Sequence, residues 1–240
     1  MLDSLTNKRL IVKAFSLIHF YLSLILGFIP KGTIISQDPK IISNDIEIIS
    51  DIDRNKYHVR MIGTQTWMLE NLKVTRFNDA IEIPFNQELR NHEWLKTPSY
   101  YLYNDLDSFK TEYGVLYNWH VVASNKLCPL GWHVPTIADW EILEVYIQQQ
   151  TKDKDKYSDL GQNIWKRHEG EAQDTFLYLK PGGIRLVESE YMYIGRCGFW
   201  WTSAEYNADK AYIKILNSPY ASRKFMREKV VGASVLCIQD

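Results

Sequence analysis

The chain has 240 residues, of which 45% are hydrophobic and 13% aromatic, enough for one large globular domain or two small ones. Its 28 basic and 29 acidic residues give a formal charge of −1, so the charge balance excludes nucleic acid and anionic membrane surfaces as expected partners. The high aromatic content favours a fold that is rich in strands and aromatic packing.

The N-terminal region predicts export. Basic residues between Lys8 and Lys13 precede an apolar run from Ala14 to Ile29, which is the pattern of a signal peptide. The run is shorter than the roughly 20 residues of a membrane span, and an uncleaved anchor is the alternative and the only expected membrane contact. We therefore expect a secreted or cell-envelope protein. The predicted division is a signal peptide or anchor over 1–36, a linker that ends in an edge strand over 37–50, and a folded domain over 51–240.

The start of the domain predicts a β-hairpin. Tyr57, Val59 and Met61 alternate with polar residues, which is the period of a half-buried strand, and Trp67–Leu69 pairs back after a glycine turn. The preceding residues Asp51 to Asn55 have the opening spacing of a calcium loop. They lack its glycine at the sixth place and its glutamate at the twelfth, so they predict a turn without a metal.

The segment LCPLGWHVPTIADWEIL predicts a turn, a strand over Trp132–Val134 and a helix over Ile137–Gln149. Thr136 is the expected N-cap, and Asp139 is its capping-box partner. A brief helix is expected over Trp119–Ser124, and residues 150–175 read as a charged, solvated insertion. Two helices among about eight short strands predict an α+β fold. The other expected strands are Tyr113–Asn118, Ile184–Leu186, Tyr191–Ile194, Phe199–Ser203, Ala211–Leu216 and Ala233–Ile238.

The three cysteines allow at most one disulfide. We expect it between Cys128, which precedes a turn, and Cys237 in the last predicted strand. A bridge that closes a loop of roughly 110 residues stabilises a fold by about 4 to 5 kcal/mol in the chain-entropy model. Three buried thiols are the alternative at this point.

Catalytic patterns are missing from the sequence. It has no HExxH or CxxC pair, no G-x-S-x-G elbow and no phosphate-binding loop, so we expect neither an enzyme nor a cofactor. His133 lies inside a predicted strand and is expected to be a packed side chain and not a metal ligand.

Binding has a positive signal in the C-terminal third, where aromatic side chains are interleaved with amides and arginine. Such surfaces suit sugars and protein partners. Adjacent residues of a strand point to opposite faces, so at least one of two neighbouring tryptophans is expected at the surface; the alternative is that both are covered. The predicted ligand-binding residues are Tyr191, Tyr193, Trp200, Trp201, Tyr206, Asn207 and Arg223.

Several blocks, in order, resemble the Fibrobacter succinogenes major paralogous domain: DIDRNKY, IGTQTWMLENLK, YGVLYNWHVV, LCPLGWHVPTIADWEIL, LKPGGIR, GFWWTSAE and GASVLCIQD. The resemblance implies an exported or cell-surface bacterial protein with a C-type lectin-like fold of short antiparallel strands and two helices. It also implies cysteines at Cys128 and Cys237, a closing strand over Ala233–Ile238, and a glycine at the position of Arg54. The calcium-binding triplets of true C-type lectins are missing from the sequence.

The same WHVPT segment is also similar to a scaffold segment of formylglycine-generating enzymes, which bind copper through two close cysteines. Shared fold alone does not carry activity. The leading hypothesis is a non-catalytic binding module for a glycan, a protein or another surface ligand. The alternatives are a metal-dependent oxidase of that enzyme kind and a purely structural envelope or adhesin subunit.

Overall fold

The computed structural model describes residues 46–85, 96–150, 179–216 and 225–240. The predicted signal segment, most of the linker, the charged insertion after Gln150 and Arg223 lie outside these ranges. The described part is an α+β fold. Its strands are β1 Glu47–Ser50, β2 Lys56–Ile62, β3 Gln65–Met68, β4 Tyr100–Tyr101, β5 Leu116–Tyr117, β6 Trp132–His133, β7 Ile184–Arg185, β8 Tyr191–Met192, β9 Gly198–Glu205, β10 Lys210–Leu216, β11 Phe225–Glu228, β12 Gly232–Ala233 and β13 Ile238–Gln239. Its α-helices are α1 Ser108–Tyr113, α2 Trp119–Val122 and α3 Ile137–Gln150.

The strands form three sheets with the orders β1-β2-β3-β13-β6, β4-β5-β12-β7-β8 and β11-β10-β9. Neighbouring strands pair antiparallel throughout these sheets. The C-terminal segment connects the sheets, because β12 belongs to the second and β13 to the first, while Ser234 bridges to Trp200 in the third. Residues 231–238 are accordingly all buried, and only the last two residues are exposed.

The prediction of a single closing strand over Ala233–Ile238 is wrong. The structure has two separate strands, β12 and β13, because the backbone between them bonds to different partners. Ser234 donates to Phe199 O, while Val235 O accepts from the Leu72 amide. The segment therefore joins sheets instead of extending one.

The predicted N-terminal hairpin is present as β2 and β3, and β1 lies at the sheet edge as expected. The predicted alternation holds for Tyr57 and Val59, which are buried, but breaks at Met61, which is 42% exposed. Ile62 is buried in its place because β2 contributes to two different cores, one on each side of the sheet.

The two cores are separated by β9. Trp201 belongs to the larger core with Tyr57, Tyr117 and Cys237. Trp200, the next residue, points the other way into a smaller core beneath α3. This second core consists of Ile62, Trp67, Leu69, Trp140, Leu143, Ile147, Leu179, Trp200, Leu216, Leu236 and Ile238.

The capping box that begins α3 is confirmed. The Asp139 amide donates to Thr136 Oγ1 at 3.1 Å, and Asp139 Oδ2 accepts from the Thr136 amide at 2.8 Å. The brief helix predicted from Trp119 is α2, which ends at Val122. Helix α1 was not predicted, since it has only six residues, none of them buried.

The predicted disulfide between Cys128 and Cys237 is confirmed, with a Cα–Cα distance of 6.0 Å. Both cysteines lie in the larger core, at 3% and 0% exposure. The bridge closes a loop of 109 residues and ties the segment before β6 to the segment before β13.

Candidate ligand-binding site

Trp200 and Trp201 do not reach the surface, which corrects their assignment as ligand-binding residues. Both side chains have 0% exposure. Trp200 Nε1 donates to Asn71 Oδ1 at 2.7 Å, and Trp201 Nε1 donates to the Tyr117 carbonyl at 2.7 Å. Opposite faces of β9 are both covered, so each indole serves as packing in its own core.

The remaining aromatic candidates are exposed or half-buried but do not meet. Tyr193 is 47% exposed and lies beside Phe199, with ring centroids 6.0 Å apart. Tyr206 is 48% exposed and contacts Tyr212 edge-on at 5.5 Å. Phe199 is near the start of β9 and Tyr206 directly follows its end, so the two are about 23 Å apart along the strand at about 3.3 Å per residue. The two tyrosines therefore cannot contact one small ligand together.

Two further candidates have internal partners. Asn207 Oδ1 accepts from the amides of Asp209 and Lys210, which closes the turn between β9 and β10. The Tyr191 hydroxyl donates to Asp105 Oδ1 at 2.8 Å and accepts from Arg185 Nε at 3.2 Å. The last predicted ligand residue, Arg223, lies outside the described residues.

A cavity of about 220 Å³ lies beside β6, in the segment that also carries Cys128. Its walls come from α2 and the turn after it, from the disulfide segment, from β6 and from the end of β9. The wall is mainly apolar, and three polar side chains interrupt it. The lining residues are Val122, Asn125, Leu127, Cys128, Trp132, His133, Val134 and Ser203.

The cavity wall is held by local geometry that the sequence specifies. Asn125 has a φ of 55°, in the left-handed region that asparagine tolerates. Asn78 Nδ2 donates to the Cys128 carbonyl at 3.0 Å, and the Ser203 amide donates to the Pro135 carbonyl at 3.0 Å. Outside the wall, Leu130 is 83% exposed on the turn between Cys128 and β6.

His133 lies between two carboxylates at the edge of this cavity. Its Nδ1 is 2.6 Å from Asp240 Oδ1, and its Nε2 is 3.5 Å from Asp139 Oδ2. Both ring nitrogens face a carboxylate, but the expectation of a packed histidine is wrong, because the side chain is 41% exposed and lines a cavity. Partial burial raises the pKa of Asp139, yet hydrogen bonds from Thr136 and His133 outweigh it and hold that pKa below its usual value.

These three groups do not form a metal centre. The two carboxylates contact opposite ring nitrogens of His133, so the three side chains do not converge on one point. No cluster of three or more histidine, cysteine or acidic side chains with metal-binding geometry occurs in the described ranges.

The turn predicted at Asp51 is present, and hydrogen bonds to the Asp51 carboxylate hold it. Asp51 Oδ1 accepts from the amides of Asp53 and Asn55, and its Oδ2 accepts from the Tyr57 hydroxyl at 2.7 Å. Arg54 has a φ of 65°, so it occupies the left-handed position where the family resemblance implies glycine.

Cys197 is the one free cysteine of the chain and is half-buried. Burial raises the pKa of its thiol to about 11, so the thiolate is disfavoured. The other two cysteines are joined to each other. A copper site that needs two close free thiols therefore has only one in this chain.

The sequence-based prediction missed the cavity because seven of its eight lining residues come from one turn-rich stretch, 122–134, whose path back on itself local sequence does not specify, and the eighth is Ser203 of β9. The available signal was the pair Trp132-His133 in a very short strand flanked by Gly131 and Pro135. A strand of two residues is usually at the edge of a sheet, where one side has no neighbouring strand and the side chains can line a cavity. In the structure β6 is at the edge of its sheet.

Together the fold and the site define a disulfide-linked α+β domain with a small, partly apolar cavity. The chain matches the family model described as Fibrobacter succinogenes major domain over residues 61–239, about three quarters of its length. It belongs to this family. No curated protein and no solved structure matches the chain. Among the described residues, no helix has the length and apolar character needed to cross a membrane.

Proposed function

We propose that this chain is an exported, non-catalytic binding module with a C-type lectin-like scaffold, and that it holds part of an extracellular glycan or protein in the cavity beside β6. The cavity is the observation that carries the proposal. It brings the Trp132 ring together with the polar groups of Asn125, His133 and Ser203. Concave apolar walls with a few polar groups are the usual form of a ligand site.

The size of the cavity limits what it can hold. Pockets for drug-sized ligands span about 300 to 1,000 Å³, and this cavity is about 220 Å³. It suits one sugar ring or one side chain of a larger partner. An aromatic wall such as Trp132 packs against the apolar face of either, while the polar groups fix its orientation.

Export and scaffold are supported by separate observations. A disulfide that ties together two core segments forms in an oxidising compartment, which agrees with the predicted N-terminal signal. The family resemblance supports the lectin-like scaffold. So does the pairing of β13 with β3, which brings the start and the end of the domain into one sheet.

Glycan and peptide arrays probed with the exported full chain test this proposal. Replacement of Trp132 by alanine is expected to weaken binding about tenfold, in line with loss of roughly 1.4 kcal/mol of aromatic contact. The matched control is Tyr206→Ala, which removes an exposed aromatic ring outside the cavity and is expected to leave binding unchanged.

Three outcomes would count against the proposal. Binding that is insensitive to Trp132→Ala but lost in Tyr206→Ala would move the site to the β9–β10 turn. No binding to either array, together with self-assembly of the chain, would favour a structural envelope subunit. Tight copper binding by the reduced chain would favour an oxidase.

A further inference from the structure

The pair formed by Lys214 on β10 and Glu144 on α3 is buried between the helix and the third sheet. Lys214 Nζ contacts Glu144 Oε1 directly, and the two side chains are only 11% and 22% exposed. Lys214 is opposite Trp200 in the β9–β10 ladder, so its side chain lies on the sheet face that packs against α3. The contact therefore joins two elements through the smaller core.

A charged pair is costly at this place, because both ions lose their hydration. Burial lowers the pKa of Lys214 to about 8, although the nearby Glu141 carboxylate opposes that shift. Proton transfer within the pair gives a neutral amine next to a carboxylic acid. These are the two partners of an amide bond, and the fold holds them in contact.

We propose that Lys214 and Glu144 are joined by an intramolecular isopeptide bond between Nζ and Cδ. The amine nitrogen attacks Cδ, the new C–N bond forms, and one C–O bond of the carboxyl group breaks. The Lys214 nitrogen starts as an ammonium group with three protons and ends as an amide N–H with one. The two released protons combine with the departing carboxylate oxygen to form one water molecule. The step changes no oxidation state and needs no further reactant.

Glu141 is the group placed to move protons in this step. It precedes Glu144 by three residues on α3, so both carboxylates are on the same side of the helix. The charge of its carboxylate acts on Lys214, and its side chain is exposed. We assign it as a positioning and proton-transfer group and not as a partner in the bond.

A second lysine–glutamate contact in the same domain provides an internal comparison. Lys229 Nζ also contacts a carboxylate oxygen, that of Glu205, but the Glu205 side chain is 54% exposed. Lys229 Nζ has a second acceptor in the Ala208 carbonyl at 2.9 Å and lies 4.8 Å from the Trp119 ring. The Lys229 side chain is 8% exposed and so is as buried as that of Lys214, but water reaches the Glu205 carboxylate and the extra contacts stabilise the ammonium, so we expect an ion pair here.

The mass of the purified, reduced full chain tests the proposal directly, with its N-terminus established from the same digest. The expected mass is that of the sequence less one water molecule. After reduction and alkylation, trypsin is expected to release residues 127–152 joined to residues 211–223, because Lys214 is blocked from cleavage. Lys214→Arg keeps the charge but cannot form this bond, and it is expected to restore the full sequence mass.

The matched control is Lys229→Arg, in which the deficit of one water is expected to persist. A wild-type protein with the full sequence mass overturns the proposal, and so does a water loss that survives Lys214→Arg. The wild-type measurement alone is decisive, so the test does not depend on whether either variant folds.

Discussion

Cys237 is bonded to Cys128 directly beside the place where β13 pairs with β6, with Ile238 opposite His133. The same two chain segments are therefore held by a covalent bond and by a sheet ladder. This double connection fixes the wall of the proposed cavity, which both Cys128 and His133 line. A rigid wall lowers the entropy cost of ordering a site when a ligand binds.

Loss of this disulfide is expected to destabilise the protein strongly. The Cys128→Ser, Cys237→Ser double variant is expected to lose about 4 to 5 kcal/mol of unfolding free energy, because the unfolded chain regains the freedom of a long loop. Urea unfolding of the oxidised chain and the variant measures this difference. Cys197→Ser is the control and is expected to stay close to wild type; an equal loss there would contradict the explanation.

The two buried tryptophans are expected to affect stability and not ligand contact. Trp200→Ala and Trp201→Ala each leave a large cavity in a separate core, at a cost of about 3 to 5 kcal/mol. Thermal unfolding of each variant is the measurement. Tyr193→Ala, at an exposed ring, is expected to change stability by no more than about 0.5 kcal/mol. A folded Trp200→Ala variant of wild-type stability would show that the indole is not packed as described.

The sequence predicted the elements whose signals are local. The capping box of Thr136 and Asp139 depends on residues three positions apart, and the hairpin depends on alternation and a glycine turn. Both are present in the structure. The disulfide was also predicted, since only three cysteines were available, one of them directly before a tight turn and another in the last predicted strand.

The candidate site could not be predicted in the same way, because burial depends on partners distant in the chain. Aromatic density near Trp200 indicated either a surface or a core, and local sequence does not distinguish them. The covering groups are Asn71 for Trp200 and Tyr117 for Trp201, each more than 80 residues away. The cavity beside β6 depends on distant partners only in part: most of its wall is the stretch 122–134, and Ser203 of β9 completes it.

Arg54 offers a test of backbone strain at the first turn. An L-residue in the left-handed region costs about 1 to 2 kcal/mol, while glycine adopts it freely but loses more entropy on folding. Arg54→Gly is therefore expected to raise the unfolding free energy by about 0.5 to 1 kcal/mol. Arg54→Ala is the control, since it removes the same side chain but keeps the strain, and it is expected to give no gain. Equal gains in both variants would assign the effect to the side chain and not to the backbone.

Asp139 is expected to make the stability of the domain sensitive to acid. Its pKa is lowered in the folded state, since the hydrogen bonds from Thr136 and His133 outweigh the opposing effect of burial. The unfolded state therefore binds the proton more readily than the folded state. The ionised Asp139 carboxylate accordingly stabilises the fold above the ordinary aspartate pKa of about 4, and this stabilisation is lost as the pH falls through the lower folded pKa.

Asp139→Asn removes the titrating group, so the unfolding free energy of the variant is expected to fall less steeply with pH in the acid range. Unfolding free energies of wild type and variant, compared at pH steps from neutral down to acid, measure the difference. Glu188→Gln, at an exposed side chain, is the matched control and is expected to follow wild type. If the unfolding free energy of Asp139→Asn falls with pH as steeply as that of wild type, the capping carboxylate does not cause the acid sensitivity.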